Sequence, residues 1–356
     1  MNSSLAVADG LPPEIDGPAA WYGPDMARRQ DWVTALSDAD LAEVERAVAG
    51  FIAGPGDIAA MRREDFPLPT LAPRLARFLD DLMEGRGFAL LRGLPVERWT
   101  IREAATAFYG IGLHLGNARP QNAKGHVLGH VRDLGLNSDD PAVRIYQTRE
   151  RQTFHTDSCD IVGLLCLKTA KSGGLSALVS SVTVFNAMRR HRPDLLRLLL
   201  RPIATDRRGE VPEGQKPYFE IPLFNWHAGL LSAIYQRQYI DSAQRFPDAP
   251  RLTPDLVEAL DLFDTLCNDP ALHFTMELRP GDLQFVFNHT LLHDRTGFED
   301  WPDGDRKRHL LRLWLAPATA RPLPAVFAQR FGTITPGERG GILLPSTRFN
   351  APLAAC

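Results

Sequence analysis

A chain of 356 residues with 40 basic and 43 acidic side chains, a net charge of −3 and 44% hydrophobic residues has the make-up of a soluble globular protein of one large or two modest domains. A pI near 6.4 argues against a nucleic-acid binder, which more often shows a basic stripe or a domain pI above about 9. No run of about 18 uninterrupted apolar residues is present, and the N-terminus lacks the basic-then-apolar pattern of a secretion signal. The expectation is therefore a cytoplasmic protein with a small-molecule substrate and no nucleic-acid or membrane partner, leaving room for a homo-oligomer. The four cysteines, Cys159, Cys166, Cys267 and Cys356, form no CxxC pair and no metal-site spacing, so they read as reduced thiols.

In chain order, residues 1–30 are rich in Pro, Gly and Asp and read as an arm laid over a surface or partly disordered. Ser37 is placed to cap a helix whose apolar face is Leu41, Val44, Val48, Phe51 and Ile52. A second helix is predicted over about 72–84, with Leu75, Phe78, Leu79 and Leu82 on one side, stopping at Gly85. The segment 87–94 reads as a buried strand closed by glycines, and Thr100-x-x-Glu103 is a capping box for a helix to about 110. From 125 onward short apolar or alternating runs recur at 143–147, 153–157, 161–168, 175–180, 273–278, 283–288 and 308–315. Two helices interrupt them. One starts at Thr183 and carries Val184, Met188, Leu195, Leu196 and Leu199; the other is capped by Thr253 with Pro254 at its first position. Many short strands with helical inserts predict a barrel or sandwich with helices outside it. The expected division is an N-terminal arm and helical elaboration (1–84), a core (85–320) with a lid or helical insert over 205–270, and a C-terminal tail (321–356).

The sharpest local feature is Thr153-Phe154-His155-Thr156-Asp157. On a strand, positions i and i+2 point the same way, so His155 and Asp157 would project together onto one metal. With a distant histidine they would complete the two-His, one-carboxylate arrangement of non-haem iron oxygenases, which leaves positions open for co-substrate and dioxygen. Alone, His-x-Asp is weak. Its context is Gly281-Asp282, an apolar strand, Asn288 and then His293, followed fifteen residues later by Arg308. Arg308 and Arg312 differ by four and share a strand face.

In these motifs the sequence resembles the taurine/alpha-ketoglutarate dioxygenase family, which includes gamma-butyrobetaine hydroxylase-like enzymes; the resemblance covers roughly residues 85–320. It implies a mainly β fold with a double-stranded β-helix (jelly-roll) core flanked by α-helices. It also implies that iron(II) is held by His155, Asp157 and His293, and that Arg308 grips the distal carboxylate of 2-oxoglutarate. Ser176 falls where relatives place a threonine on that carboxylate, with Leu175 replacing the usual Asp. Arg312 matches a position that reaches an anionic substrate group. Tyr146, Gln121 and Asn117 lie in segments that line the mouth in relatives. Arg295 is weighed between substrate contact and a salt bridge to Glu299 or Asp300, the salt bridge being favoured. The implied reaction uses dioxygen to convert 2-oxoglutarate to succinate and carbon dioxide while oxidising an unactivated C–H bond of a small, anionic metabolite. Hydroxylation, desaturation and cyclisation all stay open.

The alternatives are a turnover-deficient β-barrel binding protein and a zinc hydrolase using the same triad, in which the Arg308-x3-Arg312 strand would lack a purpose. Halogenation is disfavoured because Asp157 fills the position a halide would need. His289, four residues before His293, is the rival distal ligand and is set aside on its spacing from Asn288.

Overall fold

The computed structural model describes residues 10–54, 56–137 and 143–355. Two sheets face one another as a jelly roll. The larger runs in the order Val33–Ala35, Phe88–Arg92, Leu283–Phe287, Ile161–Lys168, His309–Ala316, Asn117–Arg119, with Leu128–Val131 also paired to His309–Ala316. The smaller runs His273–Met276, Ser176–Ser180, Leu291–Arg295, Gln152–His155. Every pairing in these two sheets is antiparallel except that of Val33–Ala35 with Phe88–Arg92.

Strand alternation sorts the side chains into layers. Leu310 and Trp314 point inward to meet Phe88, Val162, Leu178, Phe274 and Leu291 between the sheets. Leu311, Leu313 and Leu315 point outward, under the helices Asp38–Ala53, Ala72–Glu84 and Ile101–Leu113. A second outer core joins Phe154, Ala177, Val179 and Leu292 of the smaller sheet to helices Ser181–His191, Pro193–Leu199 and Pro254–Cys267. By the same parity Arg308 and Arg312 fall on the inward face of their strand.

The capping signals at Ser37, Thr100 and Thr253 form as read. Four expectations need correction. The run 143–147 is a single 3-10 turn, Ile145–Gln147, because Gln147 Oε1 accepts from the Arg144 N–H while the Gln147 N–H donates to Arg144 O, a local closure that competes with ladder pairing. The helix expected from Thr183 starts at Ser181, capped by Ser180. Leu195, Leu196 and Leu199 belong to a separate helix, since Pro193 cannot donate within a continuous one. The strand 153–157 ends at His155.

Of the N-terminal arm, residues 1–9 lie outside the described residues. Trp21 is buried edge-on against Phe88 and Phe274. Towards the other terminus, residues 340–352 run along the 120–131 segment through Ile342 N–H to Pro120 O, Val127 N–H to Asn350 O and His130 Nε2 to Pro352 O. Among the described residues no helix is long and apolar enough to cross a membrane.

His130 Nδ1 lies 2.8 Å from His309 Nε2, a contact that needs one donor and one acceptor. Burial, then His130 and the nearby Arg132 and Lys168, push His309 down to about 3. Between that value and about 6.5 the unfolded chain binds more protons at this site than the folded one, so stability falls as pH falls through this window. The melting temperature of His309→Gln is expected to decline less steeply than that of wild type between pH 6.5 and 4; parallel slopes in a thermal-unfolding series would refute this.

Candidate metal centre and its two cavities

His155 and His293 sit directly opposite one another in the ladder between Gln152–His155 and Leu291–Arg295, with ring centroids 4.1 Å apart. Asp157 arrives differently. It lies past the strand end, and its N–H donates to Asn288 Oδ1 at 3.0 Å, so a turn pinned by Asn288, rather than strand alternation, aims its carboxylate. His155 Nε2 is 3.9 Å from Asp157 Oδ1, and His293 Nε2 is 3.8 Å from Asp157 Oδ2. These three are buried and offer ligand atoms all within 4.8 Å of one another. Two imidazoles and a carboxylate converging in this way are the donor set that would hold a divalent iron.

The protonation pattern suits a cation. His155 Nδ1 is 2.8 Å from Thr153 O, which assigns its proton there and leaves Nε2 as the lone-pair nitrogen. That nitrogen faces Gln152 Nε2 at 2.9 Å. Burial holds the His155 imidazole below its usual range and pushes His293 down to about 3, with His155 adding to the latter. For Asp157 burial acts to raise the carboxyl, but Arg312 and the two histidines outweigh it and hold it low. Trp314 Nε1 donates to Asp157 Oδ2 at 2.9 Å, and Arg312 Nη1 lies 3.6 Å from the same oxygen.

Two cavities meet at this cluster, sharing His155, Gln152, Tyr146 and Arg312 as walls. The inner one is walled by Val162, Leu164 and Leu310 and holds His293, Ser176 and Arg308. Arg308 is 5% exposed, and burial pushes it down to about 10. Its Nη1 has no hydrogen-bond partner. A buried unsatisfied donor costs roughly 1–3 kcal/mol, more when charged, and a carboxylate entering this cavity would relieve it. Ser176 Oγ donates to Gln284 Oε1 at 2.9 Å, so its proton is already engaged and its lone pairs remain.

Other expected site residues take mixed positions. Arg295 borders the inner cavity but makes no salt bridge to Glu299 or Asp300. It donates to the carbonyls of Thr148 (3.0 Å) and Glu150, Glu299 pairs with Lys171, and Asp300 accepts the Arg308 N–H. Gln121 and Tyr146 both border the outer cavity. Gln121 Oε1 accepts from Arg312 Nε at 2.7 Å and its amide nitrogen donates to Arg312 O and Val127 O, so it clamps Arg312. The Arg312 guanidinium lies 4.6 Å above the Tyr146 ring. Asn117 instead bonds Gly337 O. His289 is held by Asp160 at 2.7 Å, apart from the triad.

Sequence reading missed Trp314, although its parity with Arg308 and Arg312 marks it as inward-facing. It also missed Arg144, Tyr239 and Arg330, which border the outer cavity without any local signal.

The profile of the taurine catabolism dioxygenase TauD, TfdA family matches residues 53–314. The chain belongs to this family. As a TauD/TfdA-family member it is a non-haem iron, 2-oxoglutarate-dependent dioxygenase, using iron(II), 2-oxoglutarate and dioxygen. It is 33% identical over 321 residues to an FR-33289 synthase of Streptomyces rubellomurinus, covering 87% of this chain and 92% of that protein. It is 32% identical over 310 residues to a taurine hydroxylase-like protein of Stachybotrys chartarum, covering 84% and 79%. The asparagine oxygenase structure in complex with Fe(II), 3-hydroxyasparagine and succinate superposes with a TM-score of 0.62 at 19% identity, covering 80% of this chain and 93% of that one, and supports the fold.

Proposed function

We propose that this TauD/TfdA-family enzyme oxidises an unactivated C–H bond of a small anionic metabolite, with hydroxylation as the outcome and release of succinate and carbon dioxide. The observation that carries this reading is the meeting of two arginine-bearing cavities at the His155, Asp157, His293 cluster. Those three residues would hold the iron. Bound there, the metal supplies activation of dioxygen and the oxidising power for C–H cleavage.

The chain's own residues do the rest. Arg308, with its orphaned Nη1, offers the fixed fork that a distal carboxylate needs, and the apolar walls of the inner cavity keep water from it. Ser176 has lone pairs rather than a proton to spare, so the guanidinium carries most of the grip. Trp314 and Arg312 steady the Asp157 carboxylate from the side away from His155. In the outer cavity Arg312, backed by Gln121 and Tyr146, contributes positive charge beside the metal; a relative named for resemblance to a taurine hydroxylase, taurine being a sulfonate, accords with an anionic substrate.

Anaerobic protein mixed with iron(II) and 2-oxoglutarate is expected to develop a weak visible charge-transfer band, and a screen of anionic metabolites should find compounds that stimulate succinate release. Arg308→Met should raise the KM for 2-oxoglutarate on the order of 100-fold or more, as loss of one partner of a buried charge pair does, with smaller effect on metal content. A colourless mixture, or an unchanged KM in Arg308→Met, would contradict the assignment.

A further inference from the structure

Beyond the family-matched region, the C-terminal segment returns to the outer cavity and places one guanidinium in its wall. We infer that Arg330 anchors an oxyanion head of the substrate, so that specificity is set by a segment outside the oxygenase core. This deepens the function proposed above and rests on the outer cavity being the substrate site.

Three arginines border that cavity, Arg144, Arg312 and Arg330, and only one is uncommitted. Arg144 pairs with Glu210 at 3.1 Å and donates to Tyr239 Oη and Arg208 O. Arg312 is divided between Asp157 and Gln121. Arg330 donates through Nε alone, to Ser158 Oγ at 2.8 Å, and among the described residues no carboxylate lies within 4.0 Å of it. Its two terminal nitrogens remain as a planar fork, the shape that pairs bidentately with carboxylate, sulfonate, phosphate or phosphonate. Ser158 follows Asp157 directly, so a head group seated here lies one residue from the metal cluster and its carbon chain can reach the reactive position.

The fork is held rigidly, which reduces the ordering penalty on binding. Its short helix, Ala328–Phe331, is clamped to the neighbouring strand Tyr218–Pro222. Gln329 Oε1 accepts from the Glu220 N–H at 2.9 Å, and Gln329 Nε2 donates to Glu220 O at 3.1 Å. Arg207 Nη2 donates to Gln329 O at 2.5 Å. Phe327 and Phe331 are buried against Phe219, Ile221 and Leu323, and the Arg330 guanidinium lies 5.6 Å from the Phe219 ring. Glu210 and Asp157 act on this guanidinium only through space, against its burial, and a bound oxyanion would add a direct counter-charge. Burial indeed holds this guanidinium below its ordinary value.

The test uses enzyme loaded anaerobically with iron(II) and 2-oxoglutarate and titrated with methylphosphonate, methanesulfonate or acetate, read by calorimetry and by perturbation of the charge-transfer band. At least one probe should bind wild type. Arg330→Met should weaken it by about 10-fold to 100-fold, the range for hydrogen bonds to charged groups, and Arg330→Lys should recover part. The 2-oxoglutarate band itself should be unchanged in both variants, and the tightest probe identifies the head group. Equal binding to wild type and Arg330→Met, no binding by any probe, or loss in Arg144→Met instead would overturn the inference. If the band never forms but probes still bind through Arg330, the oxygenase assignment fails and the anion site stands.

Discussion

Asp157→Ala is expected to abolish tight iron binding and to reduce 2-oxoglutarate turnover by more than about 100-fold, since loss even of a group that merely orients a ligand costs 10–100-fold. The carboxylate does two things at once. On the proposed assignment it would offer the anionic donor between two imidazoles that burial keeps neutral, and it balances Arg312, 3.6 Å away. Removing it leaves a guanidinium facing an incoming divalent cation, so the loss should exceed that of an ordinary ligand deletion. Trp314→Phe keeps the ring and deletes only the N–H that donates to Asp157 Oδ2; its metal affinity should fall by the smaller 10–100-fold. Metal content after desalting, together with the visible band, measures both. The ordering is the critical point: Trp314→Phe as damaging as Asp157→Ala, or Asp157→Ala retaining stoichiometric iron, would remove Asp157 from the metal.

The largest loss of stability is expected from Arg339→Met. Arg339 and Asp160 are both 0% exposed. The Arg339 Nε lies 2.9 and 3.0 Å from the two Asp160 oxygens and Nη2 lies 2.8 Å from Oδ1, while Nη1 donates to Arg321 O and Ile334 O. Removing the guanidinium leaves a buried carboxylate hydrogen-bonded to His289, whose imidazole burial holds below its usual range and which therefore brings no full counter-charge. Breaking a buried pair from one side costs about 3–5 kcal/mol, which for a chain of this length is about 4–7 °C in melting temperature. Asp160→Asn combined with Arg339→Met should be less destabilising than the sum of the two single changes, because the second removes the charge that the first left stranded. Additive losses in thermal unfolding would show that the pair is not coupled. The damage should also reach the metal centre, since the Asn288 N–H donates to Asp160 O while its Oδ1 accepts the Asp157 N–H.

What the sequence made legible follows the range of the interaction involved. Capping at Ser37, Thr100 and Thr253 is a matter of three or four residues and was readable. So was the shared face of Arg308 and Arg312, which needs only strand parity. His155 and Asp157 were paired on the argument of alternating strand faces; they do converge, but through a turn held by Asn288, more than a hundred residues away. Val143-Arg-Ile-Tyr-Gln147 mimics a strand because its apolar residues alternate, and only the side chain of Gln147 closing on Arg144 reveals the turn. Arg144 and Arg330 carried no signal at all. Their place in the cavity wall depends on the insert after residue 205 and on the C-terminal segment folding back, neither of which has a local pattern. Arg339 was equally hidden, since an arginine between Glu338 and Gly340 reads as surface until its carboxylate partner is known.

With iron held as proposed, the placement of His155 directly across from His293 would tie metal binding to the correctness of strand pairing. Because side chains alternate faces, a slip of one residue between Gln152–His155 and Leu291–Arg295 would turn one imidazole to the opposite side of the sheet. On the proposed assignment, a misassembled chain would therefore present an isolated histidine, and metal content would report whether the two strands had found their alignment.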